Sequence, residues 1–253
     1  MTPVYSNAFA VLSLMALGWI LARRWQRIGI VDLLWTWSVW QTACVLYLCG
    51  ARTAEATGLF ALISIWAGRL GLLLAWRLRR LRPDRRYQSL EQHWGEGIGA
   101  RMLSMFLGQG LFAIVVASCF GSMLSAAGDA WHPLPGTMLV IAGLVGVILA
   151  DCQLARFKAR DNSGICREGL WRHARHPNYF FELIVWAGLA AYAGMGGILA
   201  ALLIAVCICA FTGIPPKARL GRLQHGPAYD AYESETNLLF PWKLSPCKRS
   251  THP

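Results

Sequence analysis

Seven apolar runs dominate this chain, and most of them approach the length that crosses a lipid bilayer. They cover residues 8–21, 28–49, 57–76, 102–124, 134–154, 181–194 and 198–211. A helix needs about 20 predominantly apolar residues to span the hydrocarbon core. Only 15% of the 253 residues are charged, whereas a soluble domain has about a quarter. The chain is therefore predicted to be an all-α, polytopic membrane protein with about seven transmembrane helices and a single domain, 1–253.

The positive charges of the chain follow its predicted topology. Of the 24 Lys and Arg residues, almost all lie in four segments, at 23–27, 77–101, 156–175 and 217–249. These segments alternate with stretches that are nearly free of positive charge, which is the positive-inside pattern. It places the N-terminus outside and the C-terminus in the cytoplasm, and it accounts for the net charge of +11 without a nucleic-acid partner. We expect the lipid bilayer as the partner, and no obligate protein partner is evident.

The eight cysteines do not suggest a metal site. They form no C-x-x-C pair and no Cys/His cluster at metal-ligand spacing. Several of them lie inside apolar runs, where a cysteine behaves as a small hydrophobic residue. Neither a bound metal nor a disulfide framework is expected.

The most informative segment is residues 169–182, with the sequence GLWRHARHPNYFFE. Pro177 suits the first position of a helix, and the free backbone N–H groups there, with nearby basic side chains, would form an anion site at the cytoplasmic mouth. Glu182 follows Asn178 by four residues, so both lie on one helical face. The segment therefore points to a membrane enzyme with a soluble, charged cofactor. The candidate anion-site and first-turn side chains are Arg172, Arg175, His176, Asn178, Tyr179 and Glu182.

Two charged residues lie near or inside the predicted spans. A charged side chain in the bilayer is unfavourable in free energy, so each of the two is expected to have a structural or functional role. Asp32 is either an interfacial aspartate, wet or paired with Arg27, or a buried carboxyl whose raised pKa lets it donate a proton. Arg69 lies deep in the third run. It points either to a bound anion or to a structural partner such as Asp32 or Asp151.

Polar residues also collect at the predicted cytoplasmic end of the fifth span. Asp151 and Lys158 are two helical turns apart and share a face. With Gln153, Arg156 and Arg160 they form a polar collar. Ordinary snorkelling explains the basic residues but explains Asp151 less well.

Two tyrosines near the C-terminus form an aromatic pair. Tyr229 and Tyr232 are three residues apart and precede the sequence FPW at 240–242. Such a pair either clamps a flat ring or seals the bundle against the membrane interface.

Taken in order, these motifs resemble a known family. Residues 169–182 and the aromatic-rich span after them closely resemble bacterial membrane proteins of the DUF1295 type, related to steroid 5-alpha-reductases and more distantly to isoprenylcysteine methyltransferases. The other pieces that carry the resemblance are IVDLLW (30–35), WAGRL (66–70), DRRY (84–87), QG (109–110), RFK (156–158), TGIP (212–215), and Tyr232, Thr236 and FPW (240–242).

The resemblance implies a seven-helix fold that holds NADPH in a pocket open to the cytoplasm and reduces the carbon–carbon double bond of a lipidic, enone- or steroid-like substrate. It implies a substrate-facing half at about 8–124 and a cofactor half at about 134–242. Asp32 and Trp66, followed by Arg69, would occupy the catalytic places. Trp66 has no phenolic proton, which argues against a 3-oxo-steroid. The cofactor-binding candidates are Asp151, Lys158, Arg160, Arg167, Arg172, Arg175, His176, Asn178, Tyr179, Glu182, Tyr229 and Tyr232, with Arg86 a further candidate for a 2′-phosphate.

Two alternatives remain at this point. A membrane methyltransferase of the isoprenylcysteine type shares the element RHPNY at 175–179 and would bind S-adenosylmethionine (SAM), but the adjacent glutamates usual before the tail of such enzymes are missing here. A non-catalytic lipid-binding membrane protein could keep the same fold. Asp32 and Arg69 argue weakly against that second alternative.

Overall fold

The computed structural model describes residues 2–80, 95–125, 130–161 and 164–242. Regular structure in these ranges is helical, and no strand occurs in them. The prediction of an all-α protein is therefore confirmed. The helices are α1 (Thr2–Trp25), α2 (Ile30–Cys49), α3 (Ala54–Arg80), α4 (Ile98–Ser118), α5 (Gly121–Ser125), α6 (Pro133–Arg160), α7 (Pro177–Ala193), α8 (Met195–Val206), α9 (Ile214–His225) and α10 (Pro227–Glu235).

Five of the described helical segments are long and apolar enough to cross a membrane. They are Pro3–Trp25, Ala54–Arg79, Gly95–Ser118, Pro133–Arg160 and Met195–His225. These are the helices of an integral membrane protein. The apolar runs at 28–49 and 181–194 fold as α2, with 20 residues, and α7, with 17 residues. The count of seven spans and the orientation of the termini stay predictions.

Some helix boundaries differ from the apolar runs. The run at 102–124 divides into α4 and α5. The last two runs are separated at Gly194, whose φ of +71° favours glycine and which lies against the ring of Trp131. Beyond α8 the chain continues through a π-helical turn at Cys207–Phe211. The break at Gly194 agrees with the end of the apolar run at 181–194. Hydropathy alone shows neither the break between α4 and α5 nor the π-helical turn, because the residues on both sides of each are apolar. The DRRY element with Arg86 and the basic tail at 243–253 lie outside the described residues.

The chain divides into two compact units. The N-terminal unit comprises Met1–Pro133 with Ala193–Gly196, and the C-terminal unit comprises Leu134–Tyr192 with Gly197–Pro253. In the N-terminal unit α2 is central, since it packs against α1, α3, α4 and α5. The core near the start of α2 consists of Met15, Ala22, Ile28, Ile30, Val31, Met102 and Phe106.

The C-terminal unit is organised around a close contact between α6 and α7. A Cβ atom at Gly143 would lie 2.7 Å from the backbone nitrogen of Val185, and one at Gly146 would lie 2.1 Å from the ring of Phe181. Small residues allow two helices in a membrane to approach this closely. The contact fixes α7, and with it the start of the helix at Pro177, against α6.

Candidate functional site

The segment that precedes α7 is fixed to the end of α6 by specific hydrogen bonds. A 3-10 turn at Gly169–Arg172 begins with Gly169, whose φ is +55°. A Cβ there would lie 2.5 Å from the side chain of Gln153, which accepts a hydrogen bond from the backbone N–H of Leu170 at 2.9 Å. The indole of Trp171 donates to the carbonyl of Ala150 at 2.9 Å. Glycine is required here because the backbone is left-handed and the space is filled.

The other side of this segment pairs with the C-terminal arm, which comprises α10 and residues 236–242. Ala174 and Asn237 form an isolated parallel bridge. The backbone N–H of Asn237 donates to the carbonyl of His173 at 3.0 Å, and the N–H of Arg175 donates to the carbonyl of Asn237 at 2.9 Å. Tyr232 donates its hydroxyl to the carbonyl of Trp171 at 2.7 Å. Residues 169–176 are therefore held between α6 and the C-terminal arm.

Tyr229 and Tyr232 are both buried, and their ring centroids lie 6.2 Å apart in an edge-on arrangement. Burial raises the pKa of the Tyr232 phenol well above its usual range. The hydroxyl of Tyr232 is used by backbone carbonyls, so this residue braces the segment. Only the ring of Tyr232 therefore remains to contact a cofactor.

An ion-pair network links the same elements. Arg175, whose side chain is only 12% exposed, pairs with Glu233 of α10. Glu233 also pairs with Arg222 of α9 at 2.5 Å, and these arginines hold the pKa of its carboxyl below the usual range. Arg167 pairs with Glu235 at 2.8 Å. The predicted phosphate-binding residues Arg167 and Arg175 thus already face carboxylates of the chain.

Four buried polar atoms in residues 173–178 have no hydrogen-bond partner within the described part of the chain. They are His173 Nδ1, Arg175 Nε, His176 Nε2 and Asn178 Oδ1. His176 is 5% exposed and Asn178 is 8% exposed. Buried polar atoms are nearly always hydrogen-bonded in native proteins, and each exception needs an explanation. A polar ligand that contacts these atoms would provide one.

His176 is neutral at physiological pH. Its pKa is lowered to about 4, first by burial and then by the positive charges of Lys217 and Arg175. The ring lies beside Tyr179, with centroids 5.6 Å apart, and the Lys217 Nζ stands 4.5 Å from the Tyr179 ring centroid. His176 therefore offers a hydrogen bond to a ligand, whereas the sequence suggested a cationic group for phosphates.

A basic side chain that could bind an anion lies instead at the end of α6. A cleft of about 610 Å³ is lined by Gln153, Arg156, Ala159, Arg160, Glu168 and Gly169. Arg160 pairs with Glu168 at 2.5 Å, and both side chains are more than half exposed. Among the described residues Arg156 has no ion-pair partner. The sequence placed Arg156 in the polar collar but not among the cofactor residues.

The remaining cofactor candidates are distributed around this region of the C-terminal unit. Asp151 is buried on α6, and Lys158 is exposed further along the same helix. Arg172 is exposed at the end of the 3-10 turn. Glu182 is half-buried on α7, one turn after Asn178. Their helical positions agree with the predicted shared faces.

The predicted catalytic residues lie in the N-terminal unit, on neighbouring helices. Asp32 is half-buried in the first turn of α2, and its carbonyl accepts the hydroxyl of Thr36 at 3.0 Å. Trp66 of α3 is fully buried, with its ring 6.0 Å from that of Trp35 and perpendicular to it. Arg69 is half-buried one turn further along α3. Each of these three residues interacts with neighbouring groups. Trp35 links two of them, because it follows Asp32 by one helical turn and its ring contacts that of Trp66.

Comparison with known proteins gives a family but no characterised relative. No curated protein matches the chain, and no solved structure matches it. One family model matches residues 18–236, and its description is "Protein of unknown function (DUF1295)". This match covers most of the chain, from α1 to the end of α10, and includes both groups of residues described above. The chain belongs to the DUF1295 family.

Proposed function

We propose that this protein is an NADPH-dependent membrane oxidoreductase that reduces the carbon–carbon double bond of a lipidic enone. The observation that carries the proposal is the group of unpartnered buried polar atoms at residues 173–178, next to exposed basic side chains. Bound NADPH would supply a hydride, which no side chain of the protein can do. The rest of the chemistry falls to the residues of the chain.

Several side chains of the C-terminal unit support the proposal of a dinucleotide site. The carboxamide of a nicotinamide has N–H donors and a carbonyl acceptor, and Asn178 Oδ1 is a buried acceptor without a partner in the described chain. Neutral His176 can complete such a hydrogen-bonding set. Arg156 and Arg172 are exposed cations suited to phosphates. Amide recognition at a buried site, with phosphates held at the surface, is what a nucleotide entering from the cytoplasm requires.

The N-terminal unit would hold the substrate. Hydride addition to the β-carbon of an enone would leave an enolate, and a hydrogen bond from a protonated carboxyl group would stabilise the negative charge on its oxygen. A proton from water would then complete the reduction at the α-carbon. Asp32 is the carboxyl we assign to this role. Trp66 would form an apolar wall, since its indole is fully buried, and Arg69 would stabilise negative charge on the neighbouring groups.

Two substitutions test this division of roles. Asn178→Ala should abolish NADPH binding, measured by calorimetry on protein purified in detergent, because it removes the buried acceptor. Asp32→Asn should keep the NADPH affinity of the wild type and lose enone turnover. The matched control is Asn7→Ala, which removes a buried amide that is bonded to Thr42 at 3.1 Å. Loss of NADPH binding in the Asp32 variant, or its retention in the Asn178 variant, would contradict the assignment.

A further inference from the structure

Most polar side chains along α2 have their hydrogen bonds inside the N-terminal unit. Thr36 donates to a carbonyl of the preceding turn at 3.0 Å, and the indole of Trp40 donates to Ser64 Oγ at 3.0 Å. Two buried groups differ. Trp35 Nε1 and Ser38 Oγ have no hydrogen-bond partner within the described residues, and Ser38 is completely buried. A buried donor without an acceptor is unfavourable, so these two groups need an explanation.

The two groups belong to neighbouring positions of one helix. Trp35 and Ser38 are three residues apart on a helix, which puts them on one face. Asp32 precedes Trp35 by three residues on the same face. The indole of Trp35 lies between aromatic rings: it stacks on Phe112 of α4, with centroids 6.4 Å apart at 18°, and meets Trp66 of α3 at 6.0 Å and 89°. Trp35, which lies one turn from Asp32 and one turn from Ser38 along α2, is thus faced by aromatic rings.

We propose that Trp35 Nε1 and Ser38 Oγ bind the carbonyl oxygen of a flat, uncharged lipidic ligand, beside Asp32. This inference rests on the proposed function, because it names the side chains that would recognise the enone. An indole N–H only donates, and a serine hydroxyl can donate, so the complementary ligand atom is an acceptor. Aromatic faces suit a flat conjugated group. The ligand class that combines both is a conjugated carbonyl compound.

The arrangement also accounts for the absence of a phenol at position 66. Trp66 cannot offer a hydroxyl, but Trp35, whose ring lies against it, has an N–H that meets no acceptor among the described residues. Trp35 is then a substrate-binding residue to which the sequence motif at 30–35 gave no role. This role is visible only in the three-dimensional structure, because the chain has 12 tryptophans and the sequence does not show which indole N–H groups meet an acceptor.

Binding of a matched pair of probes tests the inference. The probes are a straight-chain hexadecenone with a conjugated double bond and a hexadecene of the same length, titrated against protein in phosphatidylcholine nanodiscs with thermal stabilisation as the readout. The wild type should bind the enone about tenfold more tightly than the alkene, which corresponds to one net hydrogen bond. Trp35→Phe should reduce this ratio to about one, and Ser38→Ala should reduce it in part.

The control is Trp40→Phe, which removes an N–H that is already bonded to Ser64 and should keep the full preference for the enone. If Trp35→Phe does not fold, benzothienylalanine at position 35 keeps the shape of the indole without its N–H. A wild type without preference for the enone, or a preference that survives both changes at Trp35, would overturn the inference. NADPH titration of the same samples separates the two proposals, because a wild type that prefers the enone but does not bind NADPH refutes the reductase and leaves the carbonyl site standing.

Discussion

Acidification should destabilise this protein through His176, which is buried and held neutral. Its pKa is lowered from the ordinary value of 6.5 to about 4 by burial and by the charges of Lys217 and Arg175. The unfolded chain therefore takes up a proton at a higher pH than the folded chain does. Stability is fully present above about pH 6.5 and is lost as the pH falls towards 4.

The magnitude follows from the two pKa values. At about pH 5 the unfolded histidine is almost fully protonated and the folded one is neutral, so the folded state loses ~2 kcal/mol. For a chain of this length that loss lowers the midpoint of thermal unfolding by about 4–8 °C. Glu233, the carboxylate near His176, has a pKa held below its usual range by Arg222 and Arg175 and so keeps its charge over most of this range.

Fluorescence-detected thermal unfolding in detergent, at about pH 7.5 and about pH 5, measures the effect. His176→Gln keeps a neutral hydrogen-bonding side chain and should remove this part of the pH response. His132→Gln, at an exposed position, leaves His176 in place and should respond to acid like the wild type. An equal acid-induced fall of the midpoint in the wild type and in His176→Gln would refute the reasoning.

Three further changes have defined outcomes. Gly146→Leu should strongly lower the thermal midpoint, because even a Cβ there would lie 2.1 Å from an aromatic ring of α7, whereas Gly108→Leu, with nothing within 4 Å, should not. Tyr232→Phe removes a hydroxyl that donates to a backbone carbonyl at 2.7 Å and should lower the free energy of unfolding by ~1 kcal/mol, seen as a lower midpoint; an unchanged midpoint would contradict its bracing role. Arg156→Gln should weaken NADPH binding about tenfold in low-salt calorimetry, and the difference should shrink as salt rises; an unchanged affinity would exclude the cleft at the end of α6 as a phosphate site.

Local sequence signals predicted the local structure of the site well. Pro177 was predicted at the first position of a helix, and α7 begins there. Asn178 and Glu182 follow on one face, as the spacing of four residues requires. These predictions succeed because proline chemistry and helical periodicity depend only on neighbouring residues.

The contacts that give the site its character are non-local, and the sequence does not show them. Arg175 pairs with Glu233, 58 residues away, and Ala174 bridges to Asn237. Neither segment contains a sequence signal that identifies the other as its partner, so the sequence predicted that Arg175 would bind a phosphate of the cofactor. The neutral state of His176 likewise depends on burial and on Lys217, which lies far along the chain. The unpartnered N–H of Trp35 could not be foreseen for the same reason.

Cofactor choice is the most direct test of the central claim. NADPH, NADH and SAM should each be titrated into the purified wild-type protein, with thermal stabilisation and calorimetry as parallel readouts. The account predicts saturable binding and stabilisation by NADPH, lost in Asn178→Ala, and none by SAM. Stabilisation by SAM without any by NADPH would contradict the reductase proposal and identify a methyltransferase instead.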